Sequence, residues 1–273
     1  MKKSIEQPHD AYGILLTTTA QNDIEQVTEQ IRILGYGVLN SGLEVKKIDE
    51  LAEAFDRTRI SYQSKFQKDW LIQSGEEHTI RAMLIHGEFV FRELATNSRV
   101  VELISSLIRG RFLLNQQNGV INPSHQKYTQ GKWHRDLPYQ HFVSSSPLSI
   151  TALYCVDDFT IENGATVVLP ATHKTEAYSS STFVDTNYHQ VTAKAGSFII
   201  MDSMLFHKGG VNRTNRIRRA INHVYTIPYI KQQISLPRQM DSQDLTENEK
   251  QIFGFDCPEN VSIEEFFARQ HNG

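Results

Sequence analysis

Apolar residues recur at helical spacing through the first third of the chain and at strand spacing through the middle. Ile24, Val27, Ile31 and Leu34 follow a 3-4-3 rhythm that stacks them on one helix face. Asn22 with Glu25 three residues later forms a capping-box pattern, and Gly35 offers a stop. Tyr36 to Leu39 read as a short strand. Ile48, Leu51 and Phe55 start a second amphipathic helix, and Ser98 to Ile108 a third, with Val100, Leu103, Ile104, Leu107 and Ile108 facing inward before Gly110. The span 20–110 is expected to be a helical scaffold packed on one side of something else.

From Phe112 the period changes to two. Strands are expected at 112–122, 131–136, 148–156, 165–169, 197–201, 204–208 and 218–227, separated by Asn/Gly, Ser/Pro and Gly-Gly turns. Many short strands without intervening helices indicate a sandwich or barrel, not a parallel α/β sheet. The stretch 174–190 reads as a long surface loop, and 231–260 as a polar, proline-broken segment before a short helix containing Ile263, Phe266 and Phe267. No repeat or linker divides the chain. One domain is expected over 1–273, with a core at about 112–230 and an extension from 231.

Composition narrows the classes. The 273 residues are 39% hydrophobic and 10% aromatic, which argues against disorder. With 28 basic and 31 acidic side chains there is no nucleic-acid footprint. No run approaches the ~20 apolar residues of a membrane span, and Met1 to Asp10 lack the apolar stretch of a signal peptide. Cys155 and Cys257 are too few and too distant for a disulfide framework or a cysteine zinc site, so a cytoplasmic setting is the default. The eleven histidines are where chemistry is to be sought.

His134 and Asp136 lie two apart in Trp133-His134-Arg135-Asp136 and project from the same strand face, with Trp133 and Arg135 on the other. His207 ends an apolar strand pair, Phe198 to Met201 and Met204 to Phe206, which can fold back against that face. Two histidines and a carboxylate make the facial triad of non-haem iron(II) oxygenases, leaving open coordination positions. Downstream, Arg218, Ala220, Asn222 and Val224 share one strand face; Arg219, Ile221, His223 and Tyr225 share the other. Whichever of these arginines faces inward can hold a carboxylate by two parallel charge-assisted bonds. Arg213 and Arg216 read as solvated.

With these residues in view, the chain resembles the phytanoyl-CoA dioxygenase-like family of iron(II)/2-oxoglutarate oxygenases. The likeness runs from about Asn22 to Tyr229. It is carried by Trp133 to Asp136, by Asn163-Gly164-Ala165-Thr166-Val167-Val168-Leu169-Pro170-Ala171-Thr172-His173-Lys174, by Ala195 to Asp202 leading to His207, and by His207 to Ala220. It implies a mainly β fold, a double-stranded β-helix (a cupin-like jelly roll) flanked by α-helices. It implies His134, Asp136 and His207 as ligands of Fe(II), and Arg218, eleven residues after His207, as the partner of the far carboxylate of 2-oxoglutarate. Thr151 matches a hydroxyl position on the same carboxylate, and Asn118 or Gln116 an amide that contacts this cosubstrate. His173 matches a structural histidine.

The implied reaction is hydroxylation of an unactivated C–H bond of a small metabolite by O2, releasing succinate and CO2. Desaturation or cyclisation stays open, whereas the retained Asp136 disfavours halogenation. Tyr139, Gln140, His141 and Asn222 are candidates to line the substrate pocket. The protein is expected to act as a monomer or homodimer on a small molecule, without nucleic acid or membrane. The competing readings are a jelly-roll metalloenzyme that does not use 2-oxoglutarate, disfavoured by the cost of burying Arg218 without an anion, and a non-catalytic ligand-binding sandwich.

Overall fold

The computed structural model describes residues 12–14, 16–137 and 142–271. Helix α1 (Asp23–Leu34) begins where expected: the Asn22 side chain accepts the Glu25 N–H at 2.9 Å. The reciprocal arm differs, because the Glu25 carboxylate accepts from the Gln21 N–H at 2.7 Å, one residue earlier. Gly35 closes the helix at φ 88°, where a Cβ would lie 2.6 Å from His173 Nδ1, so both conformation and space demand glycine. Ile24, Val27 and Ile31 are buried, but Leu34 is exposed.

Strand β1 (Tyr36–Asn40) follows, then α2 (Val45–Phe66), α3 (Lys68–Gln73), β2 (Thr79–Ile80), α4 (Phe89–Ala95) and α5 (Ser98–Leu107). The remaining elements are β3 (Leu113–Asn122), β4 (Ser149–Cys155), β5 (Val167–Val168), α6 (Ser181–Asn187), β6 (His189–Gln190), β7 (Ser197–Asp202), β8 (His207–Lys208), β9 (Arg218–Thr226), α7 (Glu247–Phe253) and α8 (Ile263–His271). A six-stranded antiparallel sheet runs β1-β7-β4-β9-β3-β2, and a smaller one runs β6-β5-β8. The architecture is the expected jelly roll with flanking helices.

Period-two alternation sorts the large sheet into two cores. Phe198, Ile200, Ile150, Tyr154, Ile221 and Tyr225 face α1, α2, α4 and α5. Ile199, Met201, Cys155 and Ala220 face the small sheet and pack with Phe159, Val168 and Leu205. Burial on both faces explains why β7 reads as a continuous apolar run.

Several expectations need correcting. The segment 131–136 is not a strand: Thr129–Gly131 form a 3-10 turn, and only His134 pairs, exchanging backbone hydrogen bonds of 3.0 Å with His207. The 204–208 strand shrinks to two residues because Leu205 N–H turns back onto the Asp202 carbonyl at 2.9 Å. The expected loop at 174–190 contains α6 and β6, capped by Ser180. Helices α3, α4 and α7 were not anticipated, being only six or seven residues long and too short to show a period. No described helix is long and apolar enough to cross a membrane.

Candidate metal centre and cosubstrate pocket

His134, Asp136 and His207 meet between the two sheets, with one ligand atom from each lying within 4.8 Å of the others. Asp136 Oδ1 is 3.9 Å from His134 Nε2 and 3.7 Å from His207 Nε2. Although the first pair sits on a turn, alternate residues are still tied to one neighbour: His134 to His207, and the Asp136 N–H to the Ser203 carbonyl at 3.0 Å. The same-face spacing therefore survives the loss of the strand.

Each imidazole is oriented from behind. His134 Nδ1 lies 2.7 Å from the Lys132 carbonyl and His207 Nδ1 3.0 Å from the Leu205 carbonyl. A carbonyl can only accept, so both Nδ1 atoms carry the proton and both Nε2 lone pairs point at the shared centre. Burial lowers the pKa of His207, Asp136 opposing and His134 adding to the effect, which keeps the ring a neutral ligand. Arg135 points the other way. It stacks 3.9 Å over Phe206 and donates to the Thr172 carbonyl at 3.0 Å and the Glu176 carbonyl at 3.2 Å.

The Asp136 carboxylate is also held from the large sheet. Thr151 Oγ1 donates to Asp136 Oδ2 at 2.5 Å and lies 2.9 Å from Ser203 Oγ, which is 2.7 Å from Ser149 Oγ. Sequence reasoning put the Thr151 hydroxyl on the cosubstrate; here its one proton is committed to Asp136.

Arg218 lines the same cavity, of about 250 Å3. It is 3% exposed and lies 3.9 Å over the Phe159 ring, with the Tyr128 hydroxyl beside it. Nε and Nη1 have no hydrogen-bond partner, and no carboxylate pairs with it among the described residues. Arg219 emerges on the opposite face, bound to Asp157 at 2.6 Å and Asp56 at 2.7 Å. A buried guanidinium without a counter-ion is costly, so this geometry fits the far carboxylate of a dicarboxylic acid whose other end reaches the three ligands.

Of the remaining candidates, Gln116 and Asn222 line the cavity. So does Asn118, but its amide is engaged, accepting from the Ala82 N–H at 3.0 Å and donating to Gln233 Oε1 at 3.0 Å. Tyr139, Gln140 and His141 lie outside the described residues. His173 is away from the ligands, buried against α1 at Gly35. Sequence reasoning missed Tyr128, Gln130, Arg81 and Gln233, all cavity-lining. They come from the loop before His134, from the end of β2 and from the segment after β9, where no periodicity marks a direction.

Comparison with known proteins gives the fold and the family. An uncharacterized protein of Mycobacterium tuberculosis is 26% identical over 254 residues, covering 89% of this chain and 91% of that protein. The crystal structure of EctD from S. alaskensis with bound Fe superposes with a TM-score of 0.62 at 20% identity, over 75% of this chain and 76% of that one. The epimerase SnoN, in complex with Fe3+, alpha ketoglutarate and nogalamycin RO, superposes with a TM-score of 0.57 at 18% identity, over 74% and 83%. At such identities the two structures establish the fold. The model of the phytanoyl-CoA dioxygenase family matches residues 32–220, most of the chain, a span within which His134, Asp136 and His207 lie, and the protein belongs to that family.

Proposed function

We propose that this protein is an iron(II)/2-oxoglutarate-dependent oxygenase that hydroxylates a C–H bond of a small molecule. The observation that carries the reading is the shared cavity of His134, Asp136, His207 and the unpaired, buried Arg218. A triad alone would suit several metals. A triad facing a buried cation calls for an organic anion that bridges the two, and 2-oxoglutarate has a carboxylate at each end and a keto oxygen beside one of them.

His134 Nε2, His207 Nε2 and Asp136 Oδ1 would hold the metal on one side, leaving the other open. Arg218, with Tyr128 beside it, would hold the far carboxylate. Bound together, iron(II) and 2-oxoglutarate supply the oxidising power: one atom of O2 goes to the substrate and the other to succinate, with CO2 released. The protein orients both ligands and excludes water. Val120, Leu153, Met201 and Ala220 supply apolar surface in the cavity, so the charge on Arg218 acts in a poorly solvated place.

The test is anaerobic titration with iron(II) and 2-oxoglutarate, followed by the weak visible charge-transfer band. The expected result is a saturable band that needs both components. A protein that binds iron(II) but shows no band and no 2-oxoglutarate binding refutes the proposal.

A further inference from the structure

Behind the candidate ligands runs a chain of three hydroxyls whose direction the structure fixes. A ligating carboxylate only accepts, so the one proton of Thr151 goes to Asp136 Oδ2, and Thr151 Oγ1 is left to accept from Ser203 at 2.9 Å. With its own proton so spent, Ser203 must accept from Ser149, at 2.7 Å. All three protons therefore point toward Asp136. Thr151, Ser203 and Ser149 are 1%, 0% and 1% exposed, and their hydroxyls bond to nothing else among the described residues. Hydroxyls in series polarise one another, each donor strengthened by the one behind it, and a buried chain feels this most.

Ser203 grips Asp136 at both ends. Its carbonyl accepts the Asp136 N–H at 3.0 Å, while its hydroxyl reaches the carboxylate through Thr151. Its own N–H donates to the Ser149 carbonyl at 3.2 Å, so main chain and side chain bind the same neighbour on β4. A tight turn after β7 places the residue: Asp202 Oδ1 accepts the Met204 N–H at 2.9 Å, and the Asp202 carbonyl accepts the Leu205 N–H at 2.9 Å. The same short segment then delivers His207. One stretch of chain thus supplies one candidate ligand and aims another.

Packing alone does not ask for hydroxyls here. Farther along the β4 face that carries Ser149 and Thr151, Leu153 and Cys155 belong to the apolar core between the sheets. The polar end of that face is the end beside Asp136. A carboxylate free to turn could ligate through both oxygens and fill a position that the facial set leaves open. Neutral donors hold Oδ2 without bringing a positive charge that would compete with the metal for the carboxylate. The nearby guanidinium of Arg135 is instead turned onto the Thr172 and Glu176 carbonyls.

Resting on the metal centre of the reading above and not on its cosubstrate, we propose that Ser203 is a positioning residue. Its carbonyl and its hydroxyl together hold Asp136 for ligation through Oδ1 alone, with Ser149 as the last donor of the chain. The effect reaches the metal only through Thr151 and Asp136, which sets the form of the test.

The test is calorimetric titration of the full metal-free chain with manganese(II), in the parent, Ser203→Ala, Thr151→Val and the double variant. Ser203→Ala removes one oxygen and leaves the backbone bonds in place. Metal affinity is expected to fall about three- to tenfold, the loss of roughly one net hydrogen bond. In the Thr151→Val background the same change should cost less than about twofold, because the Ser203 hydroxyl acts through Thr151. The cobalt(II)-loaded protein gives a second readout. Its visible ligand-field bands follow coordination number, and should move in the same sense in Ser203→Ala and Thr151→Val. Unchanged metal affinity in Ser203→Ala, an additive loss in the double variant, or unmoved cobalt bands would each overturn the proposal. A lower melting temperature with unchanged metal affinity would assign the hydroxyl to packing alone. Should Ser203→Ala not fold, the cobalt bands of Ser149→Ala decide: a shift in the Thr151→Val sense supports the chain, and no shift refutes it. A parent that takes up no manganese(II) fails at the metal centre itself, and leaves Ser203 nothing to position.

Discussion

The Thr151 hydroxyl donates to Oδ2 of Asp136 at 2.5 Å, while Oδ1 of the same carboxylate faces both histidines. One oxygen is thereby reserved for the metal and the other is tied to β4, which favours ligation through a single oxygen. Thr151→Val keeps the volume and removes the donor. Metal affinity is expected to fall about 10- to 100-fold, the usual cost of losing such an outer partner, and Thr151→Ser should restore most of it. Calorimetric titration with manganese(II) checks this. Unchanged metal affinity with weakened 2-oxoglutarate binding would return Thr151 to the cosubstrate.

Arg218 and Arg219 are adjacent in sequence and opposite in role. Breaking a buried charge pair costs about 3–5 kcal/mol, so at ~1.4 kcal/mol per decade Arg218→Ala should weaken 2-oxoglutarate binding at least about a hundredfold. Arg218→Lys should recover only part of this, since an ammonium cannot reproduce the planar fork. Arg219→Ala leaves Asp157 and Asp56 unpaired on the helix side and should lower the melting temperature with cosubstrate affinity unchanged. Anaerobic titration and thermal melts of both variants separate the two roles.

Gly209 makes room for Tyr128. A Cβ at position 209 would lie 1.7 Å from the Tyr128 hydroxyl oxygen, so Gly209→Ala must displace the ring that sits beside Arg218. Affinity for 2-oxoglutarate is expected to drop about tenfold, near the value of one charged hydrogen bond. Tyr128→Phe should cost a similar amount, and the double variant little more than either, because both act through one contact. Additive losses in the binding titration would show that Gly209 acts elsewhere.

Buried histidines set the acid limit of stability. Burial depresses the pKa of His223 to about 4 and that of His173 to about 4, with Lys174 adding to the second. Each stays neutral in the folded protein while it protonates in the unfolded chain, so stability is complete above about pH 6.5 and is lost as the pH falls toward 4. Asp202 runs the other way. Burial raises its pKa to about 6, so its contribution is full at low pH and lost as the pH rises through 6. Each group changes stability by up to about 1.4 kcal/mol per pH unit, so two losses against one gain leave a net fall of that size on acidification. Urea unfolding at pH 6.5 and 5 measures it, and His223→Gln should flatten the slope.

Local rules made much of the site legible. The alternation of a strand depends only on backbone geometry, so the opposite faces of Arg218 and Arg219 follow from the sequence, whereas His134 and Asp136 share a face on a turn because His207 and Ser203 tie them at alternate residues. The long strands also follow from the sequence, since their apolar runs record burial that the chain carries in its composition. Tertiary structure decided what those side chains meet. Nothing in the local sequence links Thr151 to Asp136, fifteen residues earlier; the fold brings β4 against the turn at 136, and the hydroxyl proton goes to that carboxylate. The Asn118 amide is engaged by the Ala82 N–H and by Gln233, more than a hundred residues later. The short helices α3, α4 and α7 escaped the periodic signal because they span two turns or fewer. Periodicity is a property of neighbours along the chain; the partners of a buried polar group are chosen by the packing of segments far apart in it.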